Sequence, residues 1–115
     1  EWIYNHDEIT DSSFEKYTSE ITREHIYHRL HQEVPYECLV ECESFQDQPD
    51  GSIKIVQHIH VKNQAHRMIF LGRDGGKIKA IGKAVREELS SLLGRPVHLF
   101  LHVLVDRRNH PQKGD

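Results

Sequence analysis

The spacing of apolar residues switches between two periods along this chain. Phe14, Tyr17, Ile21, His25 and His28 recur at three- and four-residue intervals behind Ser12 and Ser13, which suit a helix cap. This predicts a helix running to about His31. Val34-Pro35-Tyr36 ends it, because the residue before a proline is pushed out of the helical region. From Glu37 the period becomes two. Cys38, Val40 and Cys42 alternate with Leu39, Glu41 and Glu43, which predicts a strand with one buried face. Gln48 to Ser52, with Asp50-Gly51 at the tip, reads as a turn. A second alternating strand follows. Ile53, Ile55, Gln57, Ile59 and Val61 lie on one side, with Lys54, Val56, His58 and His60 on the other. The two strands should form an antiparallel hairpin.

Asn63 can cap the next segment, but Gln64–Leu71 fits either a third strand or one short buried helix. After a glycine cluster, Ile78, Ile81, Val85, Leu89 and Leu92 make a helical stripe that reaches Leu93, and Gly94 sits at the C-cap. Pro96 opens a last strand. Its residues Val97, Leu99, Leu101, Val103 and Val105 should face inward, next to Cys38, Val40 and Cys42, while His98, Phe100 and His102 face outward. The residues from Arg107 onward form a polar tail.

Composition narrows the possibilities. A chain of 115 residues suits one domain, and 37% hydrophobic with 29% charged residues is polar but patterned. No uncharged run approaches the length of a membrane span, and no signal-peptide pattern opens the chain. Cys38 and Cys42 are too far apart on a strand to form a disulfide, so they read as reduced core thiols of a cytoplasmic protein. No CxxC or HExxH spacing accompanies the ten histidines, and no nucleophile signature is present, so neither a metal nor a catalytic residue is expected.

The net charge of −3 conceals an asymmetry: residues 1–61 carry 13 acids and 4 bases, and residues 62–115 carry 11 bases and 5 acids. A basic half attracts phosphates. Within it lies Gly72-Arg73-Asp74-Gly75, followed by Gly76, between an apolar segment and a helix start. Glycine there lets a phosphodiester approach backbone N–H groups, and Lys77 and Lys79 add charge. A nucleoside-triphosphate loop fails on spacing, since no G-x-x-x-x-G-K-[ST] exists, and the G-x-G-x-x-G fingerprint is also absent. A plain glycine-rich turn remains the other reading of this loop.

Four stretches in order carry a resemblance: Glu1–Asp11, Glu20–Glu43 with its Glu-Val-Pro-Tyr break, "GRDGGKIKAIG" and "RPVHLFLHVLV". Together they resemble the C-terminal type II KH domain of the bacterial Era-type GTPases over Glu1 to about Asp106. The resemblance implies an α+β fold in the order α-β-β-α-α-β, a three-stranded sheet with three helices on one face, so Asn63–Leu71 becomes helix. It implies a segment at residues 1–12 leading in from a GTPase domain that is not in this chain, a KH domain at 13–106 and a tail at 107–115. GTP and magnesium belong to that other domain, so no cofactor is expected here.

The implied function is single-stranded RNA binding at the 3′ end of 16S ribosomal RNA during assembly of the small (30S) subunit. Gly72, Arg73, Asp74, Gly75, Gly76, Lys77 and Lys79 would meet the phosphates. Leu71, Ile78 and Ile81 would floor an apolar groove for bases, with Ile59 and Val61 as further candidates. Asp74 departs from the pattern, since family members often carry a base there, and Arg73 would neutralise it. The implied setting is a monomeric fragment in the bacterial cytoplasm, with peripheral inner-membrane association left to the full-length protein. The alternative function is a protein-interaction module that docks on its own GTPase domain or on the ribosome.

Overall fold

The structure is a computed structural model that describes residues 12–30, 32 and 38–105, with Ser12 and Ser13 as backbone only. The lead-in segment at Glu1–Asp11, the Val34-Pro35-Tyr36 break and the tail from Arg107 lie outside the described residues. The elements are α1 (Ser12–Leu30), β1 (Leu39–Asp47), β2 (Ile53–Val61), α2 (Gln64–Leu71), a short 3-10 turn (Arg73–Gly75), α3 (Gly76–Leu93) and β3 (Val97–Val105). This is the α-β-β-α-α-β order of the type II KH fold.

The sheet order is β1-β2-β3. β1 pairs antiparallel with β2, and β2 pairs parallel with β3 in unbroken register from Ile53↔Val97 to Val61↔Val105. β2 is therefore central, and its alternation is the cleanest in the chain. Ile53, Ile55, Gln57, Ile59 and Val61 are all buried, while Lys54 is exposed and Val56, His58 and His60 are half-buried. Each fully buried isoleucine contributes about 1.5–3 kcal/mol of transfer free energy. All three helices pack on this face. Ile81, Val85 and Leu89 of α3, Phe70 of α2, and Ile21, Ile26 and Leu30 of α1 complete the core with Val40, Val97 and Val103.

Three expectations change. First, α1 presents a different stripe. Thr18, Ser19, Ile21, Thr22, Ile26 and Leu30 are buried, whereas Tyr17 and His28 are exposed. The reason is a polar partner below. Gln57 is fully buried on the inner face of β2, where an unbonded amide would be costly. The Thr22 hydroxyl donates to Gln57 Oε1 at 2.5 Å, and Gln57 Nε2 donates to Thr18 Oγ1 at 3.5 Å. Apolar periodicity is blind to a helix whose inner face is half threonine and serine. Phe14 packs its ring on Phe45 at 4.8 Å, and His25 reaches across to Glu88 of α3 at 2.6 Å.

Second, β1 carries a register shift between Cys42 and Ser44. A bulge inserts one residue and changes which side chains face in. Inward packing therefore passes from Val40 and Cys42 to Phe45. Third, Val40 lies opposite Ile59, and β2 separates it from Leu99 and Leu101, which belong to the other edge strand. Leu92, counted in the α3 stripe, is exposed.

Replacing Val40 with Asp would bury a charge against Ile59 with no buried cation on that inner face among the described residues. It should cost more than about 3 kcal/mol, enough to abolish a cooperative thermal transition in a domain of this size. An unchanged melt would show that Val40 does not face the core. A second expectation concerns Cys42, whose thiol donates to the Ser44 carbonyl at 3.4 Å. Burial, reinforced by the Glu15 carboxylate, pushes its pKa from 9.0 up to about 11. The unfolded thiol ionises first, so this stabilisation is complete below pH 9 and is lost as pH rises from 9 through 11. Denaturation midpoints measured across that window should fall, and Cys42→Ser should flatten the decline.

Candidate nucleic-acid interface

The helix–turn–helix between β2 and β3 is built by short-range rules. Asn63 is extended, and its side-chain oxygen accepts the His66 amide at 2.9 Å, so α2 begins there. Phe70 is buried while Ile69 and Leu71 are half-buried, which a short amphipathic helix satisfies. Arg67 Nε donates to the Val103 carbonyl at 3.0 Å and so ties α2 to the free edge of β3. Gly72 closes α2, its amide donating to the Met68 carbonyl at 3.0 Å.

The turn then uses left-handed backbone at three places: Gly72 at φ 73°, Asp74 at φ 55° and Gly75 at φ 72°. Asp74 is the one non-glycine residue with positive φ among the described residues, and aspartate tolerates that region better than most side chains do. The Gly75 amide donates to the Gly72 carbonyl at 3.2 Å, and the Gly76 amide donates to the Arg73 carbonyl. Gly75 occupies the N-cap of α3, and no side chain caps that helix. Its N-terminal dipole therefore faces outward beside basic residues.

The three glycines have different reasons. A Cβ on Gly72 would lie 2.5 Å from Lys77 Cβ and 3.0 Å from Lys77 N, so what approaches Gly72 is the chain's own helix. Gly75 needs its positive φ, but a Cβ there would meet nothing within 4 Å. Gly76 is ordinary right-handed backbone at φ −68° and would also meet nothing within 4 Å. Neither conformation nor crowding within the protein requires glycine at position 76. It leaves backbone uncovered at the start of α3.

Arg73, Asp74 and Lys79 are exposed, and Lys77 is half-buried. No hydrogen bond or ion pair joins Arg73 to Asp74 among the described residues, so the expected neutralisation of Asp74 is not seen. Leu71 and Ile78 are half-buried and leave apolar surface on either side of the turn. Ile81 and Ile59 have no exposed surface and Val61 almost none. These three are core residues and cannot floor a groove. Two further bases, Lys83 and Arg86, are exposed on α3. Their spacing of four and seven from Lys79 puts the three on one helical face, a signal that sequence inspection could have used.

A helix–turn–helix crossover between two parallel strands, with an antiparallel hairpin and a first helix before it, defines the type II KH class of fold, and the sequence agrees with it. Residues 33–109 match the KH domain profile, and the chain belongs to the KH-domain family. Within that family it is similar to the C-terminal KH region of GTPase Era. It is 47% identical over 107 residues to GTPase Era of Erythrobacter litoralis, covering 93% of this chain and 35% of the relative. Against that of Brucella suis biovar 1 it is 43% identical over 114 residues, covering 97% and 37%.

Two solved structures superpose on it at 33% identity, each covering 97% of this chain and 38% of theirs. They are Aquifex aeolicus Era bound to GDP.AlF4-, with a TM-score of 0.76, and Era in complex with MgGDPNP and nucleotides 1506-1542 of 16S ribosomal RNA, with a TM-score of 0.77. The chain thus spans about a third of the length of the relatives it matches, and the part it matches is the KH domain, not the GTPase domain. That part is not catalytic.

The differing roles of the glycines can be measured. Gly72→Ala should destabilise the fold by about 1–3 kcal/mol, because it adds a clash to an unfavourable φ. Gly76→Ala should leave stability unchanged or raise it by up to about 1 kcal/mol. Urea unfolding of both variants checks this, and equal costs would mean that the turn differs from the one described.

Proposed function

We propose that this chain binds single-stranded RNA through the Gly72–Gly76 turn and the start of α3. Its proposed target is the 3′ end of 16S ribosomal RNA, and it acts as the RNA-holding part of an Era-type GTPase during 30S subunit assembly. The observation that carries the reading is the bare, uncapped helix start at Gly75 and Gly76, set among Arg73, Lys77 and Lys79. Phosphate oxygens can approach the positive helix end there, where a side chain would hold them off. A KH loop clamps about four nucleotides in this way. Leu71 and Ile78 offer apolar surface on which splayed bases rest, and Lys83 and Arg86 extend the positive track along α3. The similarity to Era solved with a 16S ribosomal RNA segment supports the choice of target.

GTP and magnesium act in the GTPase domain of such a protein and have no role for the residues described here. The whole protein would work in the bacterial cytoplasm, docked through its own GTPase domain and the 30S subunit, with any inner-membrane contact made outside this region. Asp74 weakens the clamp. Its carboxylate stands beside the phosphate path without an ion-pair partner among the described residues, and it repels phosphate by about a kcal/mol at an exposed site.

The test is fluorescence anisotropy with a labelled oligonucleotide copied from the ribosomal 3′ end. Arg73→Asp should weaken binding roughly tenfold, since it places a second carboxylate against the phosphates, and Asp74→Lys should strengthen it several-fold. Both effects should shrink as salt rises. Arg73 is exposed, so its melt should shift by less than about 0.5 kcal/mol, while Asp74→Lys should cost about 1 kcal/mol more because lysine suits positive φ less well than aspartate. If Arg73→Asp binds like the parent and Asp74→Lys gains nothing, the glycines form only a turn, and a protein partner becomes the better reading.

A further inference from the structure

The face of the sheet turned away from the helices carries four histidines: His58, His60, His98 and His102. No helix covers them among the described residues, and the proposed RNA clamp lies on the other side of the sheet. The parallel register sets His58 directly beside His102, and His60 is the next residue of β2 on that face. The ring centres of His58 and His102 are 5.6 Å apart with the planes at 84°, and those of His58 and His60 are 6.3 Å apart at 73°. A zinc–nitrogen bond of about 2.0–2.1 Å, extended by the ~1.1 Å from nitrogen to ring centre, separates two imidazoles on one tetrahedral ion by about 5 Å between centres. The His58–His102 pair is close to that spacing.

Carboxylates stand behind two of the rings. Glu43 Oε1 lies 3.7 Å from His58 Nδ1, and Glu41 Oε1 lies 3.0 Å from His60 Nε2. A carboxylate hydrogen-bonded to one ring nitrogen leaves the other to bind an ion, as Glu41 does at His60, whereas Glu43 at 3.7 Å only adds negative charge beside His58. His58 is partly exposed, and His102 is exposed and reachable from solvent. No three metal-ligating side chains converge on one point among the described residues. A pair does not need a third, because water completes the coordination of an exposed ion.

We propose that His58 and His102 form a two-imidazole site for a first-row transition-metal ion of the zinc, nickel or copper class. Water fills the remaining positions, and the Glu43 carboxylate adds negative charge beside the site. Two neutral imidazoles select this class over calcium or magnesium, which prefer oxygen. The ion would tie β2 to β3 from the side opposite the helices. Ligands that bind only the folded chain raise its stability by mass action.

Calorimetric titration of the chain with zinc chloride, with a thermal melt alongside, tests the site. One ion per chain should bind, and zinc should raise the melting temperature. His102→Ala and His58→Ala should each weaken binding at least tenfold. His98→Ala shares the face but not the pair and should bind zinc like the parent. Glu43→Gln should weaken binding by less than His102→Ala does. His102 is exposed, so His102→Ala keeps its fold, which circular dichroism verifies. The proposal is overturned if the His58→Ala, His102→Ala double variant binds zinc undiminished, if His98→Ala loses as much as His102→Ala, or if millimolar zinc gives neither heat nor a melting shift.

Discussion

Pairing β2 with β3 in parallel obliges the chain to travel back along the sheet before it can lay down the second strand. A tight turn cannot do this, and a crossover is required. Here the crossover is α2, the Arg73–Gly75 turn and α3, so the topological necessity and the proposed RNA loop are the same stretch of chain. Its two helices are held on the sheet by Phe70, Ile81, Val85 and Leu89, and Arg67 fastens α2 to the Val103 carbonyl at the free edge. What remains outside the core is the bend between them. Apart from Gly72, which lies against Lys77, the bend contributes nothing to the core, so Arg73 to Gly76 can be shaped for a ligand.

Electrostatics follows from the same division. The acidic hairpin precedes the crossover, while Lys62, Arg67, Arg73, Lys77, Lys79, Lys83 and Arg86 belong to it or adjoin it. A chain of net charge −3 can therefore present a positive surface where the helices meet. Asp74 runs against that trend and has no ion pair with Arg73 to offset it.

How much of this was legible in the sequence depended on what kind of contact fixed each element. The inner face of β2 was readable because burial alone decides it, down to Gln57 in the alternating row. The α3 stripe and the Gly94 cap were readable for similar local reasons. The phase of α1 was not, because threonines bonded to a buried glutamine set it, and hydrophobic spacing carries no record of that bond. The bulge in β1 and the strand order were likewise products of pairing between distant segments. At the loop, the residues were visible but their separate duties were not. That Gly72 yields to Lys77 and Gly76 yields to nothing in the protein emerges only in three dimensions. Ile59 and Ile81 looked like groove residues on paper because exposure cannot be read from position along a stripe.

Synthesis order gives the crossover a temporal side. The hairpin of β1 and β2 is closed by a five-residue connection and can form as soon as it has been made. The strand that holds α2 and α3 in place is made after both of them, and its pairing must close a much longer loop. Until β3 docks, the bend at Gly72 to Gly76 joins two helices over a sheet that still lacks one edge. In a nascent chain the proposed RNA contact would thus take its final shape only once the last strand is free to join the sheet, and a truncated product would hold that bend less firmly.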